Sequence, residues 1–214
     1  MATEANLAKL HARALVESEL PPTHSRDLVP SQPNLLVAID DFFSPAECAS
    51  LVAAANASGL QPPSAADLTP RKNEAFLNRE SSAFVDAGFA AAVYRRLLPH
   101  LPEIDGRTPV GLHGDNAKGL SSQFKYYRYT RGARFDAHVD QSWKGTNPGE
   151  ETEYTLLLYL NSSGEPLPAA GVEQPLVGGD TVFMATAKTE LARVRPRAGM
   201  ALLHAHGRRC PLTP

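Results

Sequence analysis

His138 and Asp140 stand two residues apart in the run Arg134-Phe135-Asp136-Ala137-His138-Val139-Asp140. In an extended strand side chains alternate between faces, so an imidazole and a carboxylate at i and i+2 would converge on one point. That is half of a metal site. The same alternation sends Phe135, Ala137 and Val139 to the opposite face, where they are expected to pack against a core. Completed by a second imidazole from elsewhere, the pair makes a two-His, one-carboxylate facial set, which suits Fe(II) and leaves half of an octahedron open.

A His-x-Asp spacing arises readily by chance in a chain of 214 residues with 7 His and 23 Asp plus Glu, so its surroundings carry the weight. It follows a Tyr- and Phe-rich stretch, 124–129, and the turn Thr130-Arg131-Gly132. A second strand-like run, 154–160, comes soon after. Ligands at the mouth of a β-rich barrel are well placed for chemistry. The formal charge of −2 provides no broad attraction to nucleic acid or to an anionic membrane surface. With two cysteines, Cys48 and Cys210, there is neither a disulfide framework nor a thiolate zinc site. A metal would therefore be held by nitrogen and oxygen. Glu4, Lys9, Glu17 and Glu19 interrupt the first 20 residues, so neither a signal-peptide core nor a membrane span is expected. Cysteine usage and the lack of such a segment together point to the cytoplasm or nucleus.

The elements that must position these groups divide into two halves. Residues 1–33 read as a flexible N-terminal extension with a short helix over 7–19, and 34–214 as one domain. A compact strand is predicted over 35–39. A helix over 46–57 should follow, with Ser44 as cap, Pro45 in the first position and Glu47 closing a capping box. Residues 61–72 read as a loop, and 82–98 as a second helix from the spacing of Phe84, Phe89, Val93 and Leu97. Short strands are then predicted over 124–129, 134–139, 155–160, 180–184, 191–195 and 200–204, as in a sandwich or jelly roll. The stretch 161–177, with three prolines, reads as a mobile loop near one rim.

Several runs, taken in order, resemble the Fe(II)- and 2-oxoglutarate-dependent oxygenases of the prolyl 4-hydroxylase type. They are Phe43-Ser44-Pro45-Ala46-Glu47-Cys48, Asn78-Arg79, Tyr129-Thr130-Arg131-Gly132 leading to His138-Val139-Asp140, Tyr159-Leu160-Asn161, Gly178-Gly179-Asp180-Thr181-Val182-Phe183, and 196–203. The match spans 35–210. It implies an α+β fold, a double-stranded β-helix (jelly roll) with N-terminal supporting helices, in which His138 and Asp140 are iron ligands. It also implies that Tyr129 and Tyr159, assisted by Thr155, face a 2-oxoglutarate pocket. The implied cofactors are Fe(II), with 2-oxoglutarate as cosubstrate, and ascorbate. The implied reaction couples decarboxylation of 2-oxoglutarate to hydroxylation of a C–H bond in a peptidyl (prolyl) or small-molecule substrate, with no nucleic-acid or membrane partner. The fold alone does not name that substrate.

The pattern breaks near the C-terminus. The resemblance places a second ligand His at the position of Thr213, followed by a strand carrying a basic residue for the cosubstrate, and the chain reads Pro211-Leu212-Thr213-Pro214 there. His204 and His206 are the alternative third ligands, 66 and 68 residues from His138. Arg193, Arg195, Arg197, Arg208 and Arg209 offer charge without matching the basic position. The expectation is a jelly roll lacking its last strand or strands and an oxygenase impaired in iron and cosubstrate binding. Two other readings compete: a catalytically impaired jelly-roll binding module, and a zinc hydrolase using the same pair.

Overall fold

The computed structural model describes residues 11, 15, 23–72, 74–101, 119–140, 142–144, 151–164 and 175–206. The predicted helix over 7–19 lies outside them except at residues 11 and 15, and Thr213, Arg208, Arg209, Cys210 and the middle of 161–177 lie outside them entirely.

Ten strands are formed among the described residues: β1 (His24–Asp27), β2 (Leu36–Asp40), β3 (Leu77–Asn78), β4 (Glu80–Val85), β5 (Gln123–Arg128), β6 (Arg134–Phe135), β7 (Tyr154–Leu158), β8 (Thr181–Thr186), β9 (Thr189–Val194) and β10 (Ala201–Ala205). The α-helices among the described residues are α1 (Pro45–Ala57), α2 (Ala65–Leu68) and α3 (Ala87–Leu97). The fold is thus mixed helix and antiparallel sheet. A four-stranded sheet in the order β1-β2-β10-β7 is accompanied by the two-stranded ribbons β3-β6, β4-β5 and β8-β9.

The capping box at α1 forms as expected. Ser44 Oγ accepts from the Glu47 amide at 3.2 Å, and Glu47 accepts from the Ser44 amide at 2.8 Å. Glu47 also pairs with Arg96 of α3 at 2.6 Å, which ties the two helices together. Residues 82–85, predicted as the start of the second helix, are instead the end of β4. Asp86 then caps α3 by accepting from the Phe89 amide at 2.8 Å. The apolar spacing from Phe84 to Phe89 fitted both readings, and the cap decides where the strand stops. The loop predicted over 61–72 contains the short helix α2, whose Ser64 and Asp67 form a second capping box.

The described residues of 1–33 include several that pack on the domain. β1 pairs antiparallel with β2, Val29 is buried in the core, and His11 is 1% exposed. Nδ1 of His11 donates to Asp86 at 2.9 Å, and Nε2 accepts from the Tyr126 hydroxyl at 2.8 Å. A buried imidazole with both nitrogens satisfied joins this segment to β4 and β5.

The central sheet separates two apolar layers. Val37 and Ile39 of β2 and Ala201 and Leu203 of β10 join α1 and α3 in one cluster, through Phe43, Leu51, Phe89 and Val93. The alternate residues Leu36, Ala38 and Leu202 join Val194, Met200, Phe183 and Leu191 in the other, so the β8-β9 ribbon covers that face. Each large side chain so buried contributes about 1.5–3 kcal/mol. The period-two alternation of β10 places His204 on the Leu202 face, away from the helices. No helix among the described residues is long and apolar enough to cross a membrane.

Gly199 controls how β10 begins. Its φ is 83°, its amide donates to the Tyr159 carbonyl at 2.9 Å, and its carbonyl accepts from the Phe43 amide at 3.0 Å. A Cβ here would overlap the Phe43 carbonyl oxygen. Gly199→Ala combines left-handed strain with overpacking and should lower the unfolding free energy by about 2–5 kcal/mol. Urea denaturation measures this, and a loss within about 0.5 kcal/mol, the usual range for an unconstrained surface position, would show that the turn relaxes freely.

Candidate metal centre

β6 ends at Phe135, so His138 and Asp140 are not carried on a regular strand as the alternation argument required. They converge nevertheless, with His138 Nε2 3.2 Å from Asp140 Oδ1. The expectation for the opposite face fails. Phe135 is 37% and Val139 54% exposed, and Ala137 is exposed as well, so none of the three is core. Phe135 packs flat on the His138 ring instead, with centroids 3.6 Å apart and planes 17° apart. The segment leaves the sheet after two paired residues, which removes the regular alternation.

His204 approaches the pair from β10. Its Nε2 lies 3.4 Å from Asp140 Oδ2, and its ring meets the edge of Phe183 at 5.2 Å. Directly across the β7-β10 ladder from His204 stands Thr155, whose hydroxyl donates to the same Oδ2 at 2.9 Å. Of the two candidate histidines, His204 is therefore the one beside the carboxylate. His206 is buried with its Nδ1 3.4 Å from the Ser142 hydroxyl. Thr155 spends its hydroxyl on Asp140 rather than projecting it free into a pocket.

The proton inventory is informative. His138 Nδ1 lies 2.9 Å from the Asp136 carbonyl, which can only accept, so Nδ1 carries the proton of the neutral ring. In that neutral form Nε2 faces the Asp140 carboxylate as a second acceptor, so a proton or a cation must lie between the two. Burial disfavours the charged His138 ring, but the Asp140 hydrogen bond and the Asp136 carbonyl outweigh it and raise its pKa. The His138 hydrogen bond, with the nearby His204 and the Thr155 hydroxyl, holds the Asp140 carboxyl far below the usual range against the opposing effect of burial. Burial keeps both His204 and His206 neutral to lower pH than an exposed imidazole, in each case against the attraction of Asp140. The imidazoles of His138 and His204 address different oxygens of Asp140. Among the described residues no group of three or more His, Cys, Asp or Glu side chains is arranged so that it could hold a metal ion.

The Tyr159 hydroxyl is 2.7 Å from Thr181 Oγ1 on β8, and burial pushes its pKa up to about 12. Tyr129 is 44% exposed. Burial raises its pKa, while Arg79 beside it acts in the opposite direction. The two phenols are near enough to influence each other electrostatically. Arg79 lies over the Tyr127 ring at 3.6 Å and over the Phe135 ring at 4.7 Å. Sequence reasoning missed the contributions of Arg79, Phe135, Phe183 and the Asp136 carbonyl; of these, only the Asn78-Arg79 pair and Phe183 stood in a recognised run. Of the arginines considered as basic partners, those among the described residues are engaged elsewhere: Arg193 with Asp180 and Glu190, Arg195 with the Ser163 carbonyl, and Arg197 with Asp40. Cys48 is buried, and desolvation raises its thiol to about 11, which keeps it unreactive.

No family model, curated protein or solved structure matches this chain.

The metal-free pair should mark the pH profile of stability. The lowered Asp140 contributes fully above its ordinary 3.8 and fades as pH falls through its lower folded value. The raised His138 contributes fully below its ordinary 6.5 and fades as pH rises through its higher folded value. Asp140→Asn should thus cost most between these limits, about 1 kcal/mol for a partly exposed pair, and less on either side. Urea titrations of both proteins from acid to mildly alkaline pH test this; a pH-independent difference would contradict the pairing.

Proposed function

We propose that the chain is an Fe(II)- and 2-oxoglutarate-dependent dioxygenase that hydroxylates a peptidyl (prolyl) or other C–H substrate on a jelly-roll framework, with ascorbate as reductant. The observation that carries this reading is the convergence of His138 Nε2 on the Asp140 carboxylate at 3.2 Å, with His204 3.4 Å from the other oxygen. Ligands at neighbouring octahedral corners with bonds of about 2.1–2.2 Å lie about 3 Å apart, so these separations suit donors that share one cation. The donor set is imidazole and carboxylate without thiolate, as non-heme iron favours.

Iron held by His138, Asp140 and His204 would supply oxygen activation coupled to loss of carbon dioxide from 2-oxoglutarate. The residues of this chain bind, orient and shield. The Asp136 carbonyl fixes the His138 tautomer, and Thr155 holds one Asp140 oxygen in place. Tyr159, anchored by Thr181, and Tyr129 offer hydroxyls for a carboxylate of the cosubstrate, and their rings keep water from it. The sheet with the β8-β9 ribbon across its Leu202 face supports the jelly-roll reading, since such folds place their ligands between facing sheets. Exposed Tyr127 and Phe135, joined through Arg79, offer an apolar surface suited to a peptide.

Purified chain, titrated anaerobically with Mn(II) as the probe for Fe(II) and then assayed with Fe(II), oxygen and 2-oxoglutarate, should bind one ion and form succinate. His138→Ala and Asp140→Ala should abolish turnover, and His204→Ala should weaken Mn(II) binding at least about 100-fold, exceeding the loss typical of an outer-sphere partner. Unchanged turnover in His138→Ala would reject the assignment. Absence of both metal binding and succinate would favour a binding module, and zinc uptake without dependence on 2-oxoglutarate would favour a hydrolase.

A further inference from the structure

Three side chains from separate strand segments form a continuous contact chain that ends on the His138 ring. Tyr127 lies on β5, Arg79 at the junction of β3 and β4, and Phe135 on β6. The guanidinium is 3.6 Å from the Tyr127 centroid and 4.7 Å from that of Phe135, and Phe135 is 3.6 Å from His138. Nε and Nη1 of Arg79 are buried without a hydrogen-bond partner. Tyr129 engages Arg79 through a hydrogen bond, but two buried donors without acceptors are unfavourable, so the edges of this guanidinium do not by themselves explain its place. Its faces do, because a flat, weakly hydrated cation gains from lying on aromatic rings.

Phe135 needs such a brace. At 37% exposed it has solvent on one side, and its strand is only two residues long. The Asp136 carbonyl restrains one edge of the His138 ring, whereas its face is held by Phe135. The register that pairs Leu77 with Phe135 and Asn78 with Arg134 brings Arg79 to this point. Tyr127, opposite Ser81 in the β4-β5 ladder, supplies the fixed side.

We propose that Arg79 is a positioning residue for His138: bridging Tyr127 and Phe135, it holds the Phe135 ring flat against the imidazole and so sets the direction of Nε2. The consequence for metal binding rests on the reading of His138 as a ligand; the ring alignment itself belongs to the metal-free protein. The requirement is for planarity as well as charge, so lysine does not replace arginine.

The test uses the metal-free full chain and NMR of the His138 ring protons, assigned by their disappearance in His138→Ala. Stacking on Phe135 shifts them upfield in the wild type. Arg79→Gln and Arg79→Lys should both lose most of that shift, with the His11 ring signals, in the separate Asp86–Tyr126 network, unmoved as a control of folding. Retention of the shift in Arg79→Gln, or full rescue by lysine, would overturn the proposal. Tyr127→Leu removes the other side of the brace and should reduce the shift in the same way. Should the Arg79 variants fail to fold, this variant decides, and an unaltered shift would count against the inference. Mn(II) affinity should fall roughly 10-fold in Arg79→Gln, as for an outer-sphere partner, and that loss should vanish in a Phe135→Ala background. Equal losses in both backgrounds would show that Arg79 does not act through Phe135. Failure of the wild type to bind Mn(II) would reject His138 as a ligand while leaving the ring-current result to judge the brace.

Discussion

A half-buried carboxylate, Asp140, with an imidazole nitrogen near each of its oxygens and a threonine hydroxyl on one of them, is the constraint around which the other features fall into place. Such a group is stable only when its charge is matched. The Asp136 carbonyl places the proton of neutral His138 on the far nitrogen, so a bound proton or a cation must provide the match at Nε2. The same feature ties the stability of the chain to pH.

The architecture delivers these groups from opposite directions. β10 is the inner strand between β2 and β7, and its alternate residues serve two different layers. Ala201 and Leu203 lock against α1 and α3, while Leu202 and His204 face the β8-β9 ribbon. Packing on the helix side thereby fixes the register that presents His204, and the cross-strand partner Thr155 is positioned by the same ladder. Gly199 permits the close passage of the chain beside Phe43 that lets β10 begin where it does.

His138 is held differently. It follows a two-residue strand and lies outside regular structure, so its orientation depends on side-chain neighbours: the Asp136 carbonyl at one edge and Phe135 on one face. The cluster takes one imidazole from an inner strand and its other two side chains from a short irregular segment. The strand supplies a fixed reference, and the segment supplies adjustable reach. A shift of Asp140 about its own side chain is what would bring both imidazoles to one ion, since they now address different oxygens.

Local chemistry made part of this legible from residue order alone. Ser44, Pro45 and Glu47 defined the start of α1 because a capping box is satisfied within four residues. The apolar runs that became β2, β7 and β10 declared themselves by composition, and His138 and Asp140 by their spacing. What depended on distant partners was not legible. His11 and β1 looked like a loose extension because their partners, Asp86, Tyr126 and β2, are remote in sequence or become apparent only once the sheet forms. The boundary between β4 and α3 rested on whether Asp86 would cap, and Phe135 was assigned to a core that the early end of β6 never builds. The choice of His204 over His206 required the β7-β10 register, which sets Thr155 opposite His204 and sends both toward Asp140. Residue order determined which groups were available for chemistry; only the pairing of strands far apart in the chain decided which of them meet, because side-chain direction in a sheet follows from register and not from composition.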